Sequence, residues 1–346
     1  MGNGIILKIR NTCHTVDHKR LIIMPKSNNI DVSVCIVNWN TKNKLRACLQ
    51  SLIKYTKYLN YEVIVVENAS ADGSLEMLEE EFPWCKIIKS GKNLGFAYGN
   101  HVAVNSATGK YILYLNPDTE LVSNVIYGMY LFMEINSNYA AVGPKIFNMD
   151  NSIQMTCAST YPTLVNELSE MFLLHKIFPK TRIFSTREMN YWDHENSREI
   201  DCLSGACMMI KKSVNDSLGG FDKKLFMYAE DVDLCYRLKK NKYKLYYLAS
   251  EKIYHYEGTS VKLSNTVSNA YVMQKAANYY FIRKNYGLSS AVGYRIVVAF
   301  GSVFRLLAAT IVIAALRIIN NENRKYDGYV MKNLKLMAWS VTAGIK

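Results

Sequence analysis

The strictest constraint on this chain is the alternation of short β-branched runs with helix-spaced segments between residues 32 and 115. Val32 to Val37 is an apolar, β-branched run of the kind that fills a strand buried on both faces. Residues 42–57 then carry Leu45, Cys48, Leu49, Leu52 and Ile53 at helical spacing. Val63 to Val66 predicts a second strand, Ser74 to Glu81 a second helix and Ile87-Ile88 a short third strand. Phe96 to Ala107 reads as a third helix and Tyr111 to Leu115 as a fourth strand. Such alternation with short loops implies an α/β fold, a parallel sheet with helices on both faces.

Ligands of such sheets sit beyond the carboxyl ends of the strands. Here those ends are Asn38-Trp39-Asn40, Glu67-Asn68-Ala69-Ser70, Gly91 to Gly95 and Asn116-Pro117-Asp118, all rich in small and polar residues. No G-x-G-x-x-G follows the first strand, Gly91, Gly95 and Gly99 are spaced by four, and no Walker A sequence occurs. Dinucleotide-dependent dehydrogenases and P-loop enzymes are thereby disfavoured.

Two acidic turns stand out. Phe226 to Arg237 places Glu230, Asp231 and Asp233 at the start of a helical pattern, just after Leu218-Gly219-Gly220-Phe221-Asp222. Leu115-Asn116-Pro117-Asp118-Thr119-Glu120 closes the fourth strand. Acidic residues suit the positive end of a helix, and the first turn alone can be just that. Two such loops separated by a substrate-sized segment suggest a metal-and-base arrangement instead.

These residues carry a resemblance. Val34 to Asn40, Val65 to Ser74, Asn93 to Asn100, Leu115 to Asp118, and Gly219 to Asp222 with Tyr228 to Asp233 form an ordered set that resembles family 2 glycosyltransferases, close to the bacterial rhamnosyltransferase-like branch. The match spans roughly residues 31–285. It implies the GT-A nucleotide-diphospho-sugar transferase fold, a Rossmann-like mixed sheet with flanking helices, plus a C-terminal helical membrane-associating region. It further implies an inverting transfer of a sugar from a nucleoside diphosphate, assisted by Mg2+ or Mn2+. Such chemistry needs a hard cation on the leaving diphosphate and a base for the acceptor hydroxyl.

Residue by residue, the resemblance assigns metal binding to Asp118, with Asn116 where the first aspartate of a D-x-D pattern would stand. It assigns the general base to the pair Glu230-Asp231, Asp231 being preferred. Glu67 falls where an aspartate reads the nucleotide base, and Asn38, Asn93 and Gly95 match positions that line the nucleotide. Asn93 and Gly95 equally suit a plain turn before a helix. Gly205 and Ala206, within Ser204 to Ile210, match the acceptor side. His255 sits where related enzymes hold a histidine near the diphosphate, to ligate the metal or bind the leaving phosphate. Asp233 is expected to cap its helix or to pair with Arg237 at the surface. A dTDP-sugar (rhamnose) or a UDP-sugar is the implied donor, and a polyprenyl-diphosphate-linked or glycan hydroxyl the implied acceptor.

Residues 1–29 read as an N-terminal extension without a leader pattern. Residues 30–260 read as the catalytic domain (nucleotide half about 30–120, acceptor half about 121–260), and 261–346 as a basic, amphipathic helical region. Eight scattered cysteines without C-x-x-C pairs suggest reduced thiols and a cytoplasmic setting. The formal charge of +13 is unevenly placed: from residue 260 onward twelve lysines and arginines face only Glu322 and Asp327. Ile296 to Leu316 is apolar except for Arg305 at its middle, where a spanning helix would be penalised. A helix lying peripherally in the cytoplasmic face of the inner membrane, arginines toward anionic headgroups, avoids that cost. A buried helix packed on the catalytic domain is the second reading, and a true span the third. A basic nucleic-acid-binding module finds no supporting signature, and a catalytically degenerate sugar-nucleotide-binding domain remains an alternative, as does a homodimer.

Overall fold

The structure, a computed structural model describing residues 29–185, 187–256, 267–318 and 327–342, realises the alternation as β1 (Val32–Asn38), α1 (Lys42–Tyr55), β2 (Tyr61–Glu67), α2 (Ser74–Glu81), β3 (Lys86–Lys89), α3 (Phe96–Asn105) and β4 (Tyr111–Leu115). Every residue of β1 is buried, because parallel neighbours flank it: Val34 pairs with Val63 of β2 on one side and Leu113 of β4 on the other. Leu45, Cys48, Leu49 and Leu52 form the buried face of α1. Its opposite face carries the exposed Arg46–Glu81 pair at 2.7 Å.

The second half continues through β5 (Thr119–Leu121), α4 (Val125–Ile135), β6 (Tyr139–Phe147), β7 (Ala158–Ser159), α5 (Leu164–Met171), α6 (Leu174–Ile177), β8 (Arg198–Ile200), β9 (Cys202–Leu203), β10 (Cys207–Lys211), α7 (Lys212–Leu218), α8 (Glu230–Lys240) and β11 (Lys244–His255). The main sheet runs β3-β2-β1-β4-β10-β6-β11-β5, with β8 beside β11, while β7 and β9 form a small second sheet. The four strands β3, β2, β1 and β4 are parallel. Beyond them the sheet is mixed, because β10 runs antiparallel between β4 and β6. That reversal matters for function: Cys207 pairs with Leu115, so Ser204 to Ala206 arrive at the carboxyl end of β4.

Three helices follow, α9 (Val267–Tyr286), α10 (Leu288–Ile318) and α11 (Asp327–Thr342). Gly287, at φ +90°, turns the chain between α9 and α10. Helix α10 packs on α5, α9 and α11. Arg305 therefore does not point toward headgroups. It is 5% exposed and donates from Nε to Met171 O (2.9 Å) and from Nη2 to Glu170 O. A cation on the last carbonyls of α5 complements that helix's negative end. Arg295 likewise turns inward, donating to Ser340 O. The described cysteines are all buried and free. The N-terminal extension through residue 28, residues 257–266 and 319–326, and the side chains of 314–316 lie outside the described residues.

Candidate active site

The donor-side loops are tied to one another before any ligand arrives. Asp72 accepts from Lys42 N (2.8 Å) through one oxygen and from Ser74 N (3.1 Å) through the other. A single carboxylate thus caps the starts of α1 and α2. Glu67, 4% exposed, spends both oxygens on its own loop, accepting from Ala69 N (3.1 Å) and Ser70 N (2.9 Å). Asn38 is fully buried; it donates to Ser70 Oγ (3.1 Å) and accepts from Thr41 Oγ1 (2.6 Å). As positioned, Asn38 and Glu67 brace the loops that follow β1 and β2 and form a buried floor beneath them. Asn68 joins that floor to the glycine turn, donating to Asn93 Oδ1 (2.9 Å) and accepting from Leu94 N (2.8 Å).

Gly95 has a reason beyond turn-making. At φ +78° its missing Cβ would fall 2.5 Å from Phe226 O, and the next amide, Phe96 N, donates to that same oxygen at 2.7 Å. The loop leading into the acidic pair is thereby docked on the donor half. No larger residue fits there without separating the two.

At the end of β4, three polar side chains converge. His255 Nε2 lies 3.1 Å from Asn116 Nδ2 and 3.2 Å from Asp118 Oδ1, and its Nδ1 lies 2.8 Å from Gln154 Oε1. With Nδ1 donating to Gln154, Nε2 presents its lone pair to Asn116 and Asp118. Asn116 Oδ1 is buried and unpartnered among the described residues. An orphaned amide oxygen, a carboxylate and an imidazole nitrogen fit a divalent cation. The set is lean: among the described residues no group of three or more His, Cys, Asp or Glu could hold a metal. Remaining ligands would have to be phosphate oxygens or water.

A hydrogen-bonded line runs from this cluster to the acidic pair. Asn116 N donates to Ala206 O (2.9 Å), and the neighbouring Gly205 N donates to Asp231 Oδ2 (2.8 Å). Val232 N holds the other Asp231 oxygen at 2.7 Å. A Cβ on Gly205 would approach Asp231 Cβ to 3.2 Å. The lead-in strains the backbone twice, with Tyr228 at φ 72° and Ala229 at φ 62°, a combination worth roughly 1–3 kcal/mol per residue that marks functional turns. Asp231 stays partly exposed, whereas Glu230 is 6% exposed and its Oε2 has no partner among the described residues. Burial, then the charge of Asp231, pushes the Glu230 carboxyl up to about 8. Burial also raises Asp231, against the pull of its two backbone donors.

Asp233 corrects the expectation of a surface pair. It is wholly buried, accepting from Arg237 Nε (2.7 Å) and from Lys284 Nζ of α9 (2.7 Å). Arg237 also donates to Leu218 O and Gly220 O, and Lys284 to Asp222 (2.7 Å). Phe221 stacks on Tyr114 at 4.2 Å between ring centres. The Gly219 to Asp222 turn therefore plugs the core and clamps α8 to the C-terminal helices. Sequence reasoning missed Gln154, which lies in no motif and reaches His255 only through tertiary folding. It also missed Lys44, whose ammonium lies over the Tyr256 ring; burial lowers it, opposed by Glu120 and Asp118.

The glycosyl transferase family 2 model matches residues 33–219, more than half of the chain. The chain is similar to the low-salt glycan biosynthesis hexosyltransferase Agl10 of Haloferax volcanii, 25% identical over 61% of this chain and 62% of that one. It is similar to the N-acetylglucosaminyl-diphospho-decaprenol L-rhamnosyltransferase of Mycobacterium tuberculosis, 25% identical over 57% of this chain and 67% of that one. Rhamnosyltransferase WbbL of Escherichia coli K12 is 26% identical over 65% of this chain and 83% of its own. Among solved structures, GalNAc-T7 with UDP, GalNAc and Mn2+ superposes with a TM-score of 0.50 at 18% identity, covering 74% of this chain and 50% of that one. That last likeness speaks to fold alone. By family match, strand order and motif placement, the chain belongs to glycosyl transferase family 2 and has the GT-A fold.

Proposed function

We propose that this protein transfers a sugar, with inversion, from a nucleoside diphosphate to the hydroxyl of a lipid-linked or polysaccharide acceptor. The observation that carries the reading is the hydrogen-bonded line from the Asn116–Asp118–His255 cluster through Ala206 and Gly205 to Asp231. It links a diphosphate-sized polar cluster to a fixed carboxylate. In the proposed step Asp231 takes the acceptor hydroxyl's proton while that oxygen attacks the anomeric carbon. The bond to the diphosphate breaks on the opposite face, and the diphosphate leaves with the electron pair. Asp118, His255 and Asn116 Oδ1 would hold a divalent cation, Mg2+ or Mn2+, which offsets the charge gathering on the leaving group. The similarity to two proteins named as rhamnosyltransferases favours a dTDP-rhamnose donor over a UDP-sugar. The decaprenol-linked substrate in one of those names favours a polyprenyl-diphosphate-linked acceptor. Such an acceptor fits attachment of residues 261–346 to the cytoplasmic membrane face, with residues 30–260 as the catalytic unit.

The test is a thermal-shift series with dTDP, UDP, GDP and NAD, each with and without Mn2+ or Mg2+. Ligand at a hundred times its Kd stabilises a fold by about 2.7 kcal/mol. A metal-dependent shift with dTDP or UDP, lost in Asp118→Asn, is the expected result. No shift with any nucleotide would sink the reading. A nucleotide shift without sugar transfer to any acceptor would favour the degenerate binding domain that Asn116 at the D-x-D position suggests.

The acidic pair adds a pH expectation. The base must be ionised, so transfer should rise with pH as Asp231 ionises, above the ordinary aspartate range because burial raises it. Glu230 keeps its proton up to about 8, so Glu230→Gln, a neutral side chain of the same shape, should leave that rise in place. Stability runs the other way. A carboxyl raised from 4.5 to about 8 holds its proton longer when folded, so stability falls as pH climbs across that window. Glu230→Gln should flatten that fall. Melting curves with the wild-type pH dependence in this variant would show that Glu230 does not titrate in that window.

A further inference from the structure

We propose that the α5–α6 segment of the acceptor half and helix α10 form one composite face that rests on an anionic phospholipid bilayer. This deepens the membrane-attachment reading above and rests on it. The two elements are locked side by side. Leu164 lies against Gly293 at 3.3 Å from where a Cβ would stand, Met171 against Gly301, and the Phe172 and Phe304 rings sit 5.2 Å apart. Small residues on α10 let the helices approach closely where they cross. On the inner side a polar clamp fixes them further. Arg305 of α10 holds the final carbonyls of α5, while Lys275 of α9 reaches Glu167 (2.7 Å) and Glu170 (2.9 Å) and so ties α5 to α9 behind them.

The outer side is apolar and rimmed by cations. Phe300 is 67% exposed, Leu307 61%, Ile177 64% and Phe178 47%, and Leu168 and Phe304 join them between. No aspartate or glutamate occurs from Met171 to Arg187, a stretch that contains Lys176 and Lys180, and none occurs from Leu288 to Ile318. Lys176 and Lys180 are themselves exposed, beside Ile177 and Phe178.

An apolar face edged by lysines matches the depth profile of a bilayer surface, hydrocarbon below and anionic headgroups around it. A spanning α10 fits less well, because its inward face carries Arg305 bonded to α5, and crossing would strand that arginine in hydrocarbon. A second copy of the chain would set like charges opposite one another across the patch. The consequence for the proposed reaction is that the acceptor half itself, and not only the C-terminal helices, meets the lipid.

The experiment uses the full chain and vesicles of phosphatidylcholine alone or mixed with phosphatidylglycerol. An environment-sensitive fluorophore is placed on Ile177→Cys; the described native cysteines are buried, and Cys13 is replaced by serine. Blue-shifted emission with the phosphatidylglycerol vesicles only is expected. Lys176→Glu/Lys180→Glu and Ile177→Glu/Phe178→Glu should each cut flotation on those vesicles by on the order of tenfold or more, with unchanged melting. If the full chain floats but the probe stays as in water and both variants float like wild type, this face is overturned while attachment through other residues stands. If the full chain floats on neither vesicle, both readings fall. A probe already shielded without lipid, in a protein that self-associates on sizing, would assign the face to a second copy.

Discussion

Asp231→Asn should abolish most sugar transfer, by about 10²–10⁴-fold, while nucleotide binding stays near wild type. The carboxylate's two oxygens already accept from Gly205 N and Val232 N, so the geometry that aims it is set by the backbone. Asparagine keeps the shape but presents its amide NH2 to one of those donors. A modest destabilisation follows, about 1–3 kcal/mol for an unmet buried donor. Melting must therefore be measured beside the rate; loss of a small folded fraction cannot imitate a thousandfold loss of turnover. Glu230→Gln is the control. Its side chain is more deeply buried, and the variant should retain transfer. The reverse outcome, Asp231→Asn active and Glu230→Gln dead, would overturn the assignment of roles and make Glu230 the base. Titrating dTDP or UDP against both variants completes the measurement, since unaltered affinity separates a chemical defect from a binding one.

The strands and helices between residues 32 and 115 were legible because their signals are local. The run Val32 to Val37 reads as a central parallel strand, and it is one from Val32 to Asn38. Ser74–Glu81 is a helix over the residues that the pattern predicts. The third helix ends at Asn105 rather than Ala107, a difference within the fraying of a helix end. What could not be read is set by pairings between distant residues. Nothing near Cys207 announces that it will lie antiparallel to Leu115, yet that pairing brings Gly205 and Ala206 to the end of β4. Gln154 orients His255 across 101 positions of sequence. Asp233 and Arg237 have the spacing of an exposed helical pair, and only the arrival of Lys284 from α9 explains why they are buried. Arg305 misleads in the same way. Its place within an apolar run suggests headgroups, whereas its partners are carbonyls that another helix leaves open.

Lys275→Met should destabilise the fold by about 3–5 kcal/mol, the cost of stranding buried charge. Lys275 is 1% exposed and neutralises both Glu167, 4% exposed, and Glu170, which also accepts from Tyr271. Burial pushes the Glu167 carboxyl up even with the lysine present. Burial would raise Glu170 too, but Lys275 overrides it and holds that carboxyl down at about 2. Once the ammonium is gone, Glu167 must take up a proton to remain inside. The deficit should therefore be largest at alkaline pH and shrink as pH falls toward 5, because the folded variant binds protons that the unfolded chain releases. In wild type the sign for Glu170 is opposite. Its lowered pKa stabilises the fold above the ordinary carboxylate range, and that stability is lost as pH drops toward 2. Replacing Glu167 by leucine in the Lys275→Met background removes the stranded charge and should restore most of the loss, since apolar side chains substitute well for a buried ion pair. Urea unfolding followed by circular dichroism at several pH values reads all of these. A Lys275→Met protein as stable as wild type at pH 8 would mean that the lysine contributes nothing, and that α5 is held to the C-terminal helices by packing and by Arg305.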